Sequence, residues 1–450
     1  MNVAEEQLSL LKLAVQYINK LKNQGIDVAK SSFCYMNAQE ITPGYSKLKT
    51  LQSGKKFNLK YFFTVFRHFL SISTLHNFKI LNNENKFFLK KGYEKLIITW
   101  AKKENFKDGV FFDHKFGIGS NEYSKNLWFL IYLDDSIPKK VPENTIIFYK
   151  SRNRIKYNFY YFIKSVFKSI FLNRGNLTRI LHDLSLQSQF AEIIFKIIKP
   201  IILTNNFKSI IMPYEAQPFQ NKIFKEAKNI NNKIKTIGYV VTNQAFPSQN
   251  IYRDGAPDLL ILHSLSEIKQ FKEYLGWPEE KLHLIPSLKF KKNEKKSMGE
   301  KIFLPYSIMS QKILLNEFEL FLRRQENNNL KTLKIKNHPY MQESYIHKKF
   351  IINLESVMNK YSEKFSNNSN NTLSIFFCET YAILEALERG EKVIHICSDP
   401  VFQSYSERLW SGIKVDQISK YVFNYQLKEF GRCINFGKEE DTFHKHINSI

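Results

Sequence analysis

From about residue 205 onward, short β-branched runs alternate with helical stretches, and this rhythm constrains the fold more than any other feature of the chain. Strand, helix and strand in succession build parallel sheets covered by helices. The spacing predicts strands at Ser209–Met212, Lys235–Val241, Leu259–His263 and Leu282–Pro286, with helices near Pro218–Asn231 and Leu265–Leu275. The segment Lys289–Lys301 is polar, charged and without an apolar period, as a surface linker is. After it the rhythm restarts with strands Ile302–Pro305, Leu333–Lys336, Leu373–Phe377 and Lys392–Ile396. Helices are expected near Gln311–Gln325, Ile346–Tyr361 and Thr380–Glu388. The expectation is an α/β chain of two Rossmann-like domains, residues 1–290 and 301–430, with 289–301 as linker and 431–450 as a C-terminal tail.

The first 200 residues carry weaker patterns: an opening helix at Glu5–Lys22, a strand near Phe33–Met36 and another at Leu127–Leu133. Four cysteines, Cys34, Cys378, Cys397 and Cys433, are far apart and form no CxxC pair, which argues against a disulfide framework or a structural zinc site. The opening MNVAEEQLSLLKLAVQYINK is acidic where a signal peptide is basic, and no run of about 18 apolar residues spans a bilayer. A cytoplasmic protein is expected, peripheral on the inner face of the cytoplasmic membrane if its basic surface docks there. The net charge of +25 suits nucleic acid, anionic lipid or a phosphorylated substrate, and a plain solvated surface equally. Among the functional readings, an anionic membrane surface is preferred. The basic aromatic stretch with Tyr157, Tyr161, Phe162, Val166, Phe167 and Ile170 among Lys156, Lys164, Lys168 and Arg174 is read as an interfacial or a core helix.

Candidate site residues fall at strand ends, where doubly wound sheets bind ligands. His338 and Pro339 follow the strand LKIK, and the ring of His338 suits a phosphate oxygen. Glu379, Thr380 and Tyr381 form the turn after SIFFC, ahead of a helix whose free N–H groups suit an anion. Glu385 lies farther along that helix, within reach of ribose hydroxyls. In the first half, Glu215 follows the strand IIMPY and is the best placed carboxylate to deprotonate a hydroxyl. Asp113 sits in a polar loop, DHKFGIGSN, and is the next candidate.

His-Pro at a strand end, followed by T-Y-A-I-L-E-A-L-x-x-G, resembles the donor domain of GT-B glycosyltransferases that build bacterial surface polysaccharides. The His-Pro element is most similar to that of enzymes using cytidine nucleotides: sialyl-, Kdo- and CDP-glycerol transferases. The resemblance covers roughly residues 205–400. It implies two Rossmann-like domains whose parallel sheets face a central cleft, and a metal-independent, inverting transfer without cofactor. A sugar would pass from a nucleotide donor, CMP-linked in the closest likeness, to a lipopolysaccharide, capsule or related glycan or glycolipid acceptor. It implies that His338, Thr380 and Glu385 hold the nucleotide, although Tyr381 stands where a small hydroxyl residue is usual. Alternatives are a nucleotide-sugar epimerase or hydrolase of the same fold, or a basic nucleic-acid-binding protein. For the last no reading motif is present, so no specific nucleic acid is expected.

Overall fold

The computed structural model describes residues 2–33, 72–81, 92–150, 159–172, 177–292, 300–369 and 373–448. Strands β1 (Phe78–Leu81) and β2 (Lys95–Ala101) precede a small meander of β3 (Phe106–Lys107), β4 (Val110–Asp113) and β5 (Ile118–Gly119). They are followed by β6 (Asn126–Tyr132), β7 (Thr145–Lys150), β8 (Ser209–Pro213), β9 (Lys235–Tyr239), β10 (Leu259–Leu262) and β11 (Leu282–Leu284). The first sheet has the order β1-β7-β6-β2-β8-β9-β10-β11. All its pairings are parallel except that of β1 with β7. Every residue of β6 and of β8 is buried, as expected of strands covered by helices on both faces.

After β12 (Ser287–Lys291), which lies outside both large sheets, the second sheet is built from β13 (Lys301–Phe303), β14 (Lys334–Lys336), β15 (Ser374–Phe377), β16 (Val393–Ile396), β17 (Ile413–Gln417) and β18 (Val422–Leu427). Its order is β14-β13-β15-β16-β18-β17, parallel through β16, with β18 antiparallel to both neighbours. The molecule is therefore an α/β fold of two largely parallel sheets with helices between the strands. The strands expected after residue 205 lie within two residues of their places; Lys235–Val241, Leu282–Pro286 and Ile302–Pro305 end two early, at Tyr239, Leu284 and Phe303.

Two expected boundaries look different in three dimensions. The segment foreseen as a linker begins inside β12 and ends in β13; residues 293–299 lie outside the described residues. The expected tail folds back: β19 (Phe436–Gly437) pairs with β12, and Phe443 and Ile447 are buried in the core beneath the first sheet. At the other end, the helix Val3–Asn23 reaches the second half, where Gln7 Nε2 donates to the carbonyls of Val401 and Ser404, each at 2.8 Å. Phe33 is buried outside any strand, and the rest of the strand expected at Phe33–Met36, with Cys34, lies outside the described residues. Cys378, Cys397 and Cys433 are buried free thiols. No helix among the described residues is long and apolar enough to cross a membrane.

One apolar cluster runs from Leu10 and Phe129 through Phe246 and Trp277 to Phe402, Trp410 and Tyr425, so the two halves share a core. Trp410 is fully buried, its indole donating to the Ala245 carbonyl at 3.1 Å and its ring edge-on to Tyr405. Trp410→Ala is expected to lower unfolding free energy by about 3–5 kcal/mol, the range for large core truncations. Urea titration of the variant beside wild type checks this.

Candidate functional site

Strand order places two crevices. The chain runs β2, β6, β7 outward in one direction and returns to β8 beside β2, so the loops after β2 and β8 part. In the second sheet it runs β13, β14 and returns to β15 beside β13. Such switch points leave an opening at the carboxyl ends of the strands, where α/β sheets bind ligands. The two carboxyl edges meet: Lys102, just after β2, holds its ammonium 3.2 Å from the ring centre of Tyr340, which follows β14. Ala245, beyond β9, donates its N–H to Glu379 Oε1 at 2.7 Å, just after β15.

Glu215 stands at the first switch point. Its N–H and that of Gln217 both donate to Gln220 Oε1 at 3.0 Å, which ties the loop to the helix Pro218–Ile230. The next residue, Ala216, is left-handed at φ 50°, and its carbonyl is pinned by Gln249 Nε2 at 2.6 Å and Arg253 Nη2 at 2.5 Å. The Glu215 side chain is open to water, yet protein crowds around it. That crowding raises its carboxyl above the ordinary range, opposed by a 2.7 Å bond from Gln217 Nε2 and by the Lys115 and Lys289 ammonium groups.

On the facing edge, Asn337 Oδ1 accepts the His338 N–H at 2.8 Å, and Pro339 opens a single 3₁₀ turn, Pro339–Met341. The Tyr340 N–H donates to His338 Nδ1 at 3.2 Å. Nδ1 is thereby an acceptor, which leaves the ring proton on Nε2. Burial, then His347 and Lys102, pull the His338 pKa below its usual value, so a neutral imidazole presents an Nε2–H donor. The Tyr306 and Tyr340 rings flank it, each with its centre 5.5 Å away.

After β15, Cys378 is left-handed at φ 51° and Glu379 follows. Burial pushes the Glu379 carboxyl up to about 8, against the Ala245 N–H bond, so it is largely protonated at neutral pH. The helix begins at Ala382, two residues later than expected, because Thr380 and Tyr381 form the turn. Thr380 Oγ1 accepts from the Ala382 N–H at 3.4 Å, and its carbonyl from the Tyr405 hydroxyl at 3.0 Å.

Three expected site residues sit elsewhere. The Tyr381 ring turns into the junction between the halves, 5.8 Å from Phe290 and 6.2 Å from His263. Glu385 is mostly buried and paired with Arg389 at 3.1 Å, whose guanidinium lies 4.8 Å from the Phe436 ring; its carboxylate is engaged within the protein rather than left for a ribose. Asp113 is 1% exposed, and its Oδ1 accepts the Lys115 and Phe116 N–H groups at 2.6 and 3.0 Å. It builds the turn that carries Lys115 and is not an open base.

Residues that the sequence reading passed over include Lys102, Lys115 and Lys289, and a buried pair at the junction. Glu267 is fully buried, its N–H capped by Ser264 Oγ at 3.0 Å and its Oε2 lying 3.8 Å from His263 Nδ1. Ser264 and Glu267 form the S-x-x-E spacing of a helix start, ordinarily a solvated pattern. Burial raises the Glu267 carboxyl to about 8 and lowers His263 to about 4, so both are neutral near pH 7.

A carboxyl raised in the folded state contributes stability that is complete below its unfolded pKa, near 4.5, and is lost as pH rises through about 8. The melting temperature is therefore expected to fall between pH 6 and pH 8. Glu267→Gln should flatten that fall, which thermal melts across the interval would measure. No protein-family model matches the chain, and no curated protein matches it in sequence.

Proposed function

We propose that the chain is a metal-independent glycosyltransferase of the GT-B type, with a nucleotide-sugar donor on the second sheet and its acceptor over the first. The observation that carries this reading is the meeting of two switch points across one crevice, with unlike chemistry on its two sides. On one side are the neutral Nε2–H of His338, the protonated carboxyl of Glu379 and the reach of Lys102. On the other is Glu215, an accessible carboxylate with a raised pKa.

In this mechanism Glu215 takes the proton of an acceptor hydroxyl as that oxygen attacks the anomeric carbon. The bond from that carbon to the donor phosphate breaks, and the phosphate leaves with the electron pair. His338 Nε2–H and Lys102 stabilise the developing negative charge, and Glu379 donates a hydrogen bond to the departing oxygen. A cytidine nucleotide is the carrier that the His-Pro likeness favours, and a surface glycan or glycolipid the acceptor.

The helix Phe159–Leu172 supports docking on an anionic membrane. Tyr160, Ile163, Phe167, Ile170 and Phe171 are exposed at helical spacing, Phe171 to 84%, with Lys164 and Lys168 exposed among them. The side chains of Tyr161 and Phe162, and residues 156, 157 and 174, lie outside the described residues.

Glu215→Gln is expected to lower transfer about 100-fold or more while nucleotide affinity is kept. His338→Ala should weaken nucleotide binding in a folded protein. Radiolabelled sugar transfer and calorimetric nucleotide titration read the two effects apart; full transfer by the first variant, or wild-type affinity in the second, contradicts the assignment. Replacing Phe167 and Phe171 together by Ser should weaken binding to phosphatidylglycerol vesicles at least about tenfold, from the apolar area lost. Flotation with anionic and neutral vesicles measures this, and equal binding by variant and wild type contradicts it.

A further inference from the structure

Two tyrosines flank His338, and their rings are in different states. Tyr340 is engaged: its ring lies at 26° to the imidazole, and the Lys102 ammonium stands 3.2 Å from its centre. Tyr306 is 49% exposed and meets the His338 ring at 83°, with no other ring or cation against it among the described residues.

The backbone that carries Tyr306 is fixed. The Leu304 N–H donates to the Lys336 carbonyl at 3.0 Å, which continues the pairing of β13 with β14, and the Pro305 carbonyl accepts from His347 Nε2 at 2.9 Å. Tyr306 therefore holds a half-exposed aromatic ring just past the carboxyl end of β13, beside the residues that follow β14, at the switch point of the second sheet.

The face of a tyrosine ring carries the negative side of its quadrupole. It gives no hold to a phosphate, whereas a flat heteroaromatic ring stacks on it. A nucleotide joins these two chemistries through one ribose, with a phosphate for the Nε2–H of His338 and a flat ring for Tyr306. The centres of the Tyr306 and His338 rings are 5.5 Å apart, close enough for one small molecule to meet both.

We propose that Tyr306 is the platform on which the nucleobase stacks, while the phosphate of the same nucleotide reaches His338. This rests on the donor site proposed above and adds to it the residue that separates a nucleotide from a bare sugar phosphate.

The test compares CMP with ribose 5-phosphate, which lacks the base, on wild type, Tyr306→Ala and Tyr306→Phe. Calorimetric titration reads CMP, and displacement of CMP reads the weaker ligand. Tyr306→Ala is expected to weaken CMP binding at least about fivefold, the low end of base–aromatic stacking, and to leave ribose 5-phosphate within about twofold. Tyr306→Phe keeps CMP affinity within about twofold, because the ring and not the hydroxyl is used. Unchanged CMP affinity in Tyr306→Ala, a loss shared equally by both ligands, or a comparable loss in Tyr306→Phe overturns the platform and leaves the donor site standing. A wild-type protein that binds none of CMP, UMP and GMP overturns the donor site and the platform with it.

Discussion

The arrangement of the molecule depends on the backbone of one residue. Ala245 gives its N–H to Glu379 and receives the Trp410 indole on its carbonyl, so both of its backbone groups are held by the other half. Both bonds are at least partly shielded from water, where an unmet backbone group is costly, and apolar rings from Phe246 to Tyr425 surround them. Residues that follow strands of the two sheets are in contact here. On the side around Lys102 and Tyr340 the halves also touch, the Lys102 ammonium standing over the Tyr340 ring.

The two switch points are alike in chemistry. Each places a glutamate beside a non-glycine residue in the left-handed region, Glu215 beside Ala216 and Glu379 beside Cys378. Such a backbone conformation costs about 1–3 kcal/mol and persists where surroundings enforce it. Around Ala216 that enforcement comes from Arg253, so deeply buried that its pKa falls to about 10, which still leaves it charged at neutral pH. Both glutamates are crowded enough to raise their pKa, yet differ in surroundings. Glu379 is tied to a backbone N–H across the junction, whereas the Glu215 carboxylate is open to water and bonded only to its neighbour Gln217 among the described residues.

Much of this was legible from the residues because strands buried on both faces read as continuous apolar runs; SIFF and VIHI fall at β15 and β16. Glu215 was visible for the same reason, since a polar residue closing such a run lies at a strand end; His338 follows the alternating LKIK of the mostly exposed edge strand β14. What escaped is governed by partners distant in sequence. β2 and β7 were hidden among aromatic and basic residues, and β19 has only two residues and exists through β12. The segment 441–448 looked like a polar tail because only Phe443 and Ile447 of it enter the core. Glu267 was passed over, and Asp113 read as a loop acid, because burial is not encoded in spacing.

The central claim is that a nucleotide binds where the two carboxyl edges meet. Hydrogen exchange followed by mass spectrometry, with and without saturating CMP and CDP, tests it most directly. The account predicts slowed exchange in the loops after β13, β14 and β15, at residues 304–306, 337–341 and 378–382, and little change at the amino ends of the strands. Protection confined to those amino ends, or none with any nucleotide tried, would contradict it.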